Sequence, residues 1–355
     1  MRPMQKTNRL ALTAGLFFCL LLLPCFTREF SEQKAVVFPF LNKIFSYSPE
    51  KQALRVLYQA ETFFTRYFNR DGKYLWLSST LKSGVKQLSY YSITENTLTP
   101  VYTGECQQVI PLQGICLVIG NIFQPGKGFR YDVYRLAEQK LSETPVYSVY
   151  LDLFLSDIEW IDGSVLVAGA DKADQKNALY WLDLEQTRTR LLFSRPKSGD
   201  FFKLIQADHS LFIYTSLQNW RARPSFICWE FSLPDLADRE VVPPPQETCI
   251  TEFPGKYAPF GKGFVDQHAL FIPVIDKQYN TGVLQLTGLH NQTRARFFAL
   301  PTGLYLELPA TGAGPLHYFI GYNYYQAKHD FWFLQLPGDF SERAIKDPVQ
   351  LKLEY

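Results

Sequence analysis

Asp157 and Glu159 stand two residues apart in a stretch that reads as a β-strand, with Asp152 and Asp162 close by. Strand alternation puts both on one face about 7 Å apart, a separation that suits the acid and base of a glycosidase. No acid recurs at the matching place in the repeated units described below, which favours a solvated turn over a catalytic pair. The five histidines offer little more. His209, His268 and His317 fall in or beside those units, where other copies carry Gly, Ser or Tyr, so they read as turn or strand residues and not as metal ligands. The chain has no G-x-S-x-G, H-E-x-x-H, P-loop, complete G-x-G-x-x-G or EF-hand loop. The expectation is therefore no catalytic residue, no metal and no cofactor.

Two loops have the composition of a binding surface. Trp220, Arg221 and Arg223 lie between two strands of one repeat, and Tyr322, Tyr324 and Tyr325 occupy the corresponding place two repeats later. Tyr, Trp and Arg anchor protein interfaces and stack on sugars. Most of the other rings among the 29 Phe, 21 Tyr and 6 Trp are expected in the core.

Four cysteines, Cys106, Cys116, Cys228 and Cys249, lie in the body of the chain. Proximity and an oxidising compartment would pair Cys106 with Cys116 and Cys228 with Cys249, each loop contributing about 3 kcal/mol by closure entropy. The alternative is four buried thiols. No spacing is C-x-x-C, which disfavours zinc and thioredoxin-type chemistry.

The elements that must carry these residues are strands. From about residue 35, short apolar runs rich in Val, Ile, Phe and Tyr are broken by Gly, Pro, Asp and Asn at intervals typical of all-β chains. Tyr131 to Ser142 has some helical character, yet its phase makes a strand pair. A turn-then-strand unit recurs at Gly72, Gly114, Gly163, His209, Gln267 and Pro315, a mean spacing of about 49 residues that suits four-stranded propeller blades. A second unit, two strands around a polar turn, follows in Gln87–Tyr102, Ala178–Phe193 and Phe226–Val242.

Asn69-Arg70-Asp71-Gly72-Lys73-Tyr74-Leu75-Trp76-Leu77-Ser78-Ser79 and Leu179–Phe193 are where the chain resembles the TolB-type WD40-like propeller repeats. That resemblance implies a fold and leaves function open. The expected domain is an all-β propeller over 35–355, of seven blades of four antiparallel strands. One blade is shared between residues 35–60 and Val349–Tyr355, which closes an otherwise open edge. Six blades with an N-terminal extension is the alternative.

Ahead of that domain, Arg2, Lys6 and Arg9 precede an uncharged run, Leu10 to Phe26. Its seventeen residues would reach about 26 Å as a helix, the lower limit for spanning a bilayer. The run ends without an A-x-A-like cleavage site. It therefore reads as a transmembrane signal anchor at 10–26, with 1–9 in the cytoplasm, a linker at 27–34 and the body in the periplasm. A cleaved signal for a secreted protein, or a lipid on Cys25, are the competitors.

Formal net charge is +2, and the body is near neutral once the three leading positives are set aside. A nucleic-acid partner calls for a basic excess that is missing. Asn291-Gln292-Thr293 matches a glycosylation sequon. Together these features imply a propeller tethered to the inner membrane that serves as an interaction or assembly scaffold for another envelope protein. The alternative is a propeller enzyme or lectin-like module acting on a glycan.

Overall fold

Gly114 and Gly163 hold φ at 73° and 81°, a backbone region that glycine enters without steric cost. Each sits in a tight turn joining two antiparallel strands. A computed structural model describes residues 36–48, 53–70, 73–137, 139–161, 163–171, 176–196, 200–207, 209–217, 226–238, 245–250, 257–259, 263–266, 269–276, 278, 280–288, 294–300, 304–310, 316–323, 330–337, 349–350 and 352–354. The expected tail, anchor and linker, 1–34, lie outside the described residues. No helix among the described residues is long and apolar enough to cross a membrane.

The strands run in chain order as follows. First come β1 (Val36–Phe40), β2 (Lys43–Ser48) and β3 (Ala53–Gln59). A meander follows of β4 (Phe64–Arg70), β5 (Tyr74–Thr80), β6 (Lys86–Ser92) and β7 (Thr97–Gly104). Then come β8 (Cys106–Leu112), β9 (Ile115–Gln124), β10 (Gly128–Ala137), β11 (Lys140–Leu141) and β12 (Tyr147–Leu151). The next sheet holds β13 (Leu153–Ile161), β14 (Ser164–Asp171), β15 (Lys176–Asp183) and β16 (Arg188–Pro196).

After it stand β17 (Asp200–Ala207), β18 (Ser210–Leu217), β19 (Phe226–Ser232), the helix α1 (Leu233–Asp238) and β20 (Gln246–Ile250). The chain continues through β21 (Tyr257–Pro259), β22 (Phe264–Asp266), β23 (Ala269–Asp276), β24 (Thr281–Thr287) and β25 (Arg294–Ala299). It ends with β26 (Leu304–Ala310), β27 (Leu316–Asn323), β28 (Asp330–Pro337), β29 (Val349–Gln350) and β30 (Lys352–Glu354).

These strands form seven sheets among the described residues, each of four or five strands. The six recurring turn-strand segments read from the sequence become β5, β9, β14, β18, β23 and β27. Tyr131 to Ser142 is strand, β10 turning into β11 through Gln139 at a φ of 65°. One expected strand pair is corrected: after β19 the chain makes α1 before β20 pairs back. Pro234 and Asp235 in its first turn favour a helix start there.

Two compact units divide the described chain, 38–44 with 57–151, and 36–37 with 45–56 and 152–354. In the first, Trp76 and Leu88 of one sheet pack on Cys106, Val109, Cys116, Val118 and Leu136 of the next. In the second, alternate residues of β17 and β18 serve two neighbours. Phe202, Leu204, Leu211 and Ile213 face Ile161, Leu166, Leu179 and Trp181, whereas Ile205, Phe212 and Tyr214 face Leu270, Ile272 and Leu284. A sheet covered on both faces needs apolar residues on both, which is why β14 reads Val-Leu-Val-Ala without alternation.

A β-bulge recurs at one place. The opening strand of four sheets carries one extra residue, at Thr65, Gln107, Ser156 and Glu307. The partner strand there presents Ser79, Gly120, Gly169 and Gly321, all small. A Cβ on Gly169 would run into the Phe154 carbonyl, so the bulge and the small residue go together.

The seventh sheet joins distant parts of the chain. β3 pairs with β30 through Ala53↔Lys352, Leu54↔Leu353 and Arg55↔Glu354. The pairing is parallel, where an antiparallel one was expected. With only residue 351 between them in the sequence, β29 lies against β28 and β30 lies against β3.

Candidate functional site

The bulge at Ser156 aims the two carboxylates that the sequence singled out. Asp157 and Glu159 are 3% and 2% exposed, so they are not solvated. Asp157 Oδ1 accepts the Ile158 N–H at 2.9 Å, and its Oδ2 accepts the Leu204 N–H of β17 at 2.9 Å. Ser156 Oγ donates to the Phe202 carbonyl at 3.0 Å, and the buried Lys203 donates through Nζ to the Ser156 carbonyl at 3.2 Å. The seam thus ties the opening strands of two neighbouring sheets together. Glu159 occupies the rung at which the opening strands of two other sheets carry Ile110 and Ile205. A carboxylate held by two backbone donors in a closed seam is placed to staple the two sheets. Asp162 lies outside the described residues.

The hairpin between β9 and β10 has a different character. β9 runs four residues past Gly120, where its pairing with β8 ends. Register slips between Phe129 and Tyr131, and Ile122 stands out at 72% exposure. The tip beneath it is braced. Phe123 and Phe129 meet edge to face at 5.2 Å, the Lys127 N–H donates to the Gln124 carbonyl at 3.0 Å, and Gln124 Nε2 donates to Tyr150 Oη at 3.0 Å. Lys127 sits 5.7 Å from the centre of the Tyr150 ring. Alongside, Arg130 pairs with Asp132 at 2.8 Å and Ser148 donates to the same carboxylate oxygen at 2.5 Å. The hydrogen bond and the charge of Asp132 raise the Arg130 pKa further. The hairpin thus leaves one apolar side chain in solvent beside polar groups that are already paired with one another.

Sequence reasoning missed this hairpin. Its signal was Ile122-Phe123, one residue ahead of Pro125-Gly126-Lys127-Gly128 and after the small Gly120. Of the loop residues it did select, Trp220, Arg221, Arg223, Tyr324 and Tyr325 lie outside the described residues. Tyr322 is corrected from loop to strand, since β27 continues through it, with Tyr305 and Phe331 opposite. Aromatic residues favour such extension.

The expected disulfides are corrected as well. Cys106, Cys116 and Cys228 are free thiols. Cys106 stands opposite Gly120 and Cys116 opposite Pro111, four steps or about 13 Å along the ladder, against the roughly 7 Å limit between bridged Cα atoms. Cys228 stands opposite Thr248, and Cys249 is one rung away opposite Ile227. Burial raises the pKa of Cys106, Cys116 and Cys228, which makes all three poor nucleophiles. Among the described residues no cluster of His, Cys, Asp and Glu could hold a metal ion.

No protein-family model matches the chain, and no characterised protein matches it in sequence. Solved structures match it in fold. The periplasmic gluconolactonase of Pseudomonas aeruginosa superposes with a TM-score of 0.60 at 12% identity, over 90% of this chain and 96% of that one. The β-propeller domain of the Trilobed protease from Pyrococcus furiosus gives 0.55 at 9%, over 88% and 96%. A prolyl endopeptidase gives 0.59 at 12% over 98% of this chain but 53% of its own, so the chain spans about half of that enzyme's length. At such identities the likeness shows the fold, and the fold is a β-propeller.

Proposed function

We propose that the chain is a seven-bladed propeller that binds another protein through the connections between the second and third strands of its blades. The braced β9–β10 hairpin carries this reading, because it offers Ile122 to solvent on a tip whose own polar groups are already satisfied. Residues 218–225 and 324–329 are the same connection in their own sheets, between β18 and β19 and between β27 and β28, and they bring Trp220, Arg221, Arg223, Tyr324 and Tyr325. In this reading residues 10–26 tether the body to the inner membrane, the body lies in the periplasm and the partner is an envelope protein.

The test is site-specific photocrosslinking in cells that make the full chain, with the photoreactive residue at Ile122 or, as a control, at Leu191, which is 55% exposed on β16. One stoichiometric protein adduct from position 122, weaker or missing at 191, supports the reading. Equal adducts from both positions, or none from 122, would overturn it.

A further inference from the structure

The seam between β13 and β17 is closed at Ser156 and Asp157 and opens two residues further on, at Phe154. That ring is 42% exposed. It stands opposite Ala170, as Asp157 stands opposite Ala168, and directly opposed residues share a face of the sheet. Ala168 belongs to the core shared with β17 and β18, so Phe154 faces that same neighbour, beyond the point where Ser156 Oγ meets the Phe202 carbonyl at 3.0 Å. Asp152 joins β12 to β13, and its Cα lies no more than about 7 Å from that of Phe154. Its Oδ1 is shut off from solvent and, among the described residues, meets no hydrogen-bond donor. A carboxylate oxygen that has lost water without gaining a donor is costly until a cation reaches it. The charged groups nearby are turned elsewhere. Lys203 Nζ donates to the Ser156 carbonyl at 3.2 Å, Arg195 lies on the outer strand against Phe193 and Trp229, and Asp171 and Lys176 share a rung with Leu153, on the other face.

We propose that Asp152 and Phe154 bind an organic cation, a primary ammonium or guanidinium group. The carboxylate supplies a charge-assisted hydrogen bond and the ring supplies the negative face of its quadrupole. A metal ion would use the carboxylate but gain nothing from the ring, and no group of His, Cys, Asp and Glu among the described residues would complete its shell. The site belongs to a different sheet from Ile122, so it holds whether or not the hairpin binds a protein. Two sources carry this chemistry, a Lys or Arg side chain of a protein and a free amine.

The experiment is calorimetric titration of the full-length chain at low ionic strength with cadaverine, with N-acetyl-lysine N-methylamide and, as an uncharged control, with pentanol. Both cations should bind and pentanol should not. Asp152→Asn should weaken both by about tenfold or more, Phe154→Leu by about two- to fivefold, and Phe154→Tyr should restore the affinity. Tighter binding of the capped lysine assigns a protein side chain as the source, and tighter binding of cadaverine assigns a free amine. Absence of binding by both cations overturns the proposal. So does affinity unchanged in Asp152→Asn, an equal loss in Glu143→Gln at an exposed carboxylate of another sheet, or calcium displacing the amine equally well in wild type and Phe154→Leu. If Asp152→Asn does not fold, the contrast between Phe154→Leu and Phe154→Tyr decides: equal affinities in the two refute the site.

Discussion

Asp157→Ala removes the acceptor of two backbone N–H groups at once, those of Ile158 and Leu204, each 2.9 Å from a carboxylate oxygen. Leaving a buried donor unsatisfied costs about 1–3 kcal/mol. The variant also relieves the desolvation cost of a buried carboxylate, so the lower half of the summed range, about 2–4 kcal/mol, is the expected loss. Asp157→Asn keeps one oxygen for the Leu204 N–H and turns an amide donor toward the Ile158 N–H, so it should fall between wild type and Ala. Ser156→Ala, which loses one bond to the Phe202 carbonyl, should cost about 1 kcal/mol. Urea unfolding by far-UV and fluorescence signals measures all three, with an unchanged dependence on denaturant as the check that the folded state is intact. If Ala lies within about 0.5 kcal/mol of wild type, or Asn is worse than Ala, the account of the seam as a staple is wrong.

Trp181→Ala empties a site that is 3% exposed and shared by two sheets, and should cost about 3–5 kcal/mol by the same measurement. Gly169→Ala should be more damaging than its size suggests, because its Cβ meets the Phe154 backbone; a melting temperature equal to wild type would refute the bulge argument. Cys106, Cys116 and Cys228 should react with an aromatic disulfide reagent only after denaturation, and reaction in the native protein would contradict their burial. Burial, reinforced by the neighbouring Cys106 thiolate, pushes Tyr102 from 10.0 up to about 12. Its unfolded form therefore loses a proton first, so its contribution is full below pH 10 and is lost as pH rises towards 12. Tyr102→Phe should flatten that alkaline decline, which a urea series at increasing pH would show.

The strand framework was legible because it rests on local signals. Asp-Gly and Gln-Gly turns at near-regular spacing announced β5, β9 and β14, and the apolar runs that follow them announced burial, including that of Trp181. The resemblance to propeller repeats pointed the same way, and the fold likeness to solved propellers agrees. What local signals could not carry was register between distant strands. A single extra residue at Ser156 decides which way Asp157 points, and nothing in the residue types announces a bulge. The small residue facing it, Gly169, has nothing in its surroundings in the sequence that marks a bulge. The cysteine pairs were judged by closeness in sequence, whereas bridging depends on which rung each occupies. Ile122 escaped notice because an apolar residue ahead of a turn has the same appearance whether it is buried or offered to solvent.

The parallel pairing of β3 with β30 has a consequence for the order in which the protein is made and folds. Every other sheet is built from one continuous stretch of chain, so each can form soon after its residues leave the ribosome. The rungs at Ala53–Arg55 must wait for Lys352–Glu354. Closing a loop of roughly 300 residues from an open chain costs about 5 kcal/mol, more than the three pairs among the described residues, at roughly 0.2–1 kcal/mol each, can return. The rungs can therefore form only after the sheets between them have folded and brought the two edges together. Such contacts are absent from the rate-limiting step of folding, so weakening them would leave the folding rate unchanged and speed unfolding. The pairing of β3 with β30 acts as a latch on the lifetime of the native state and has little say in how quickly that state is reached.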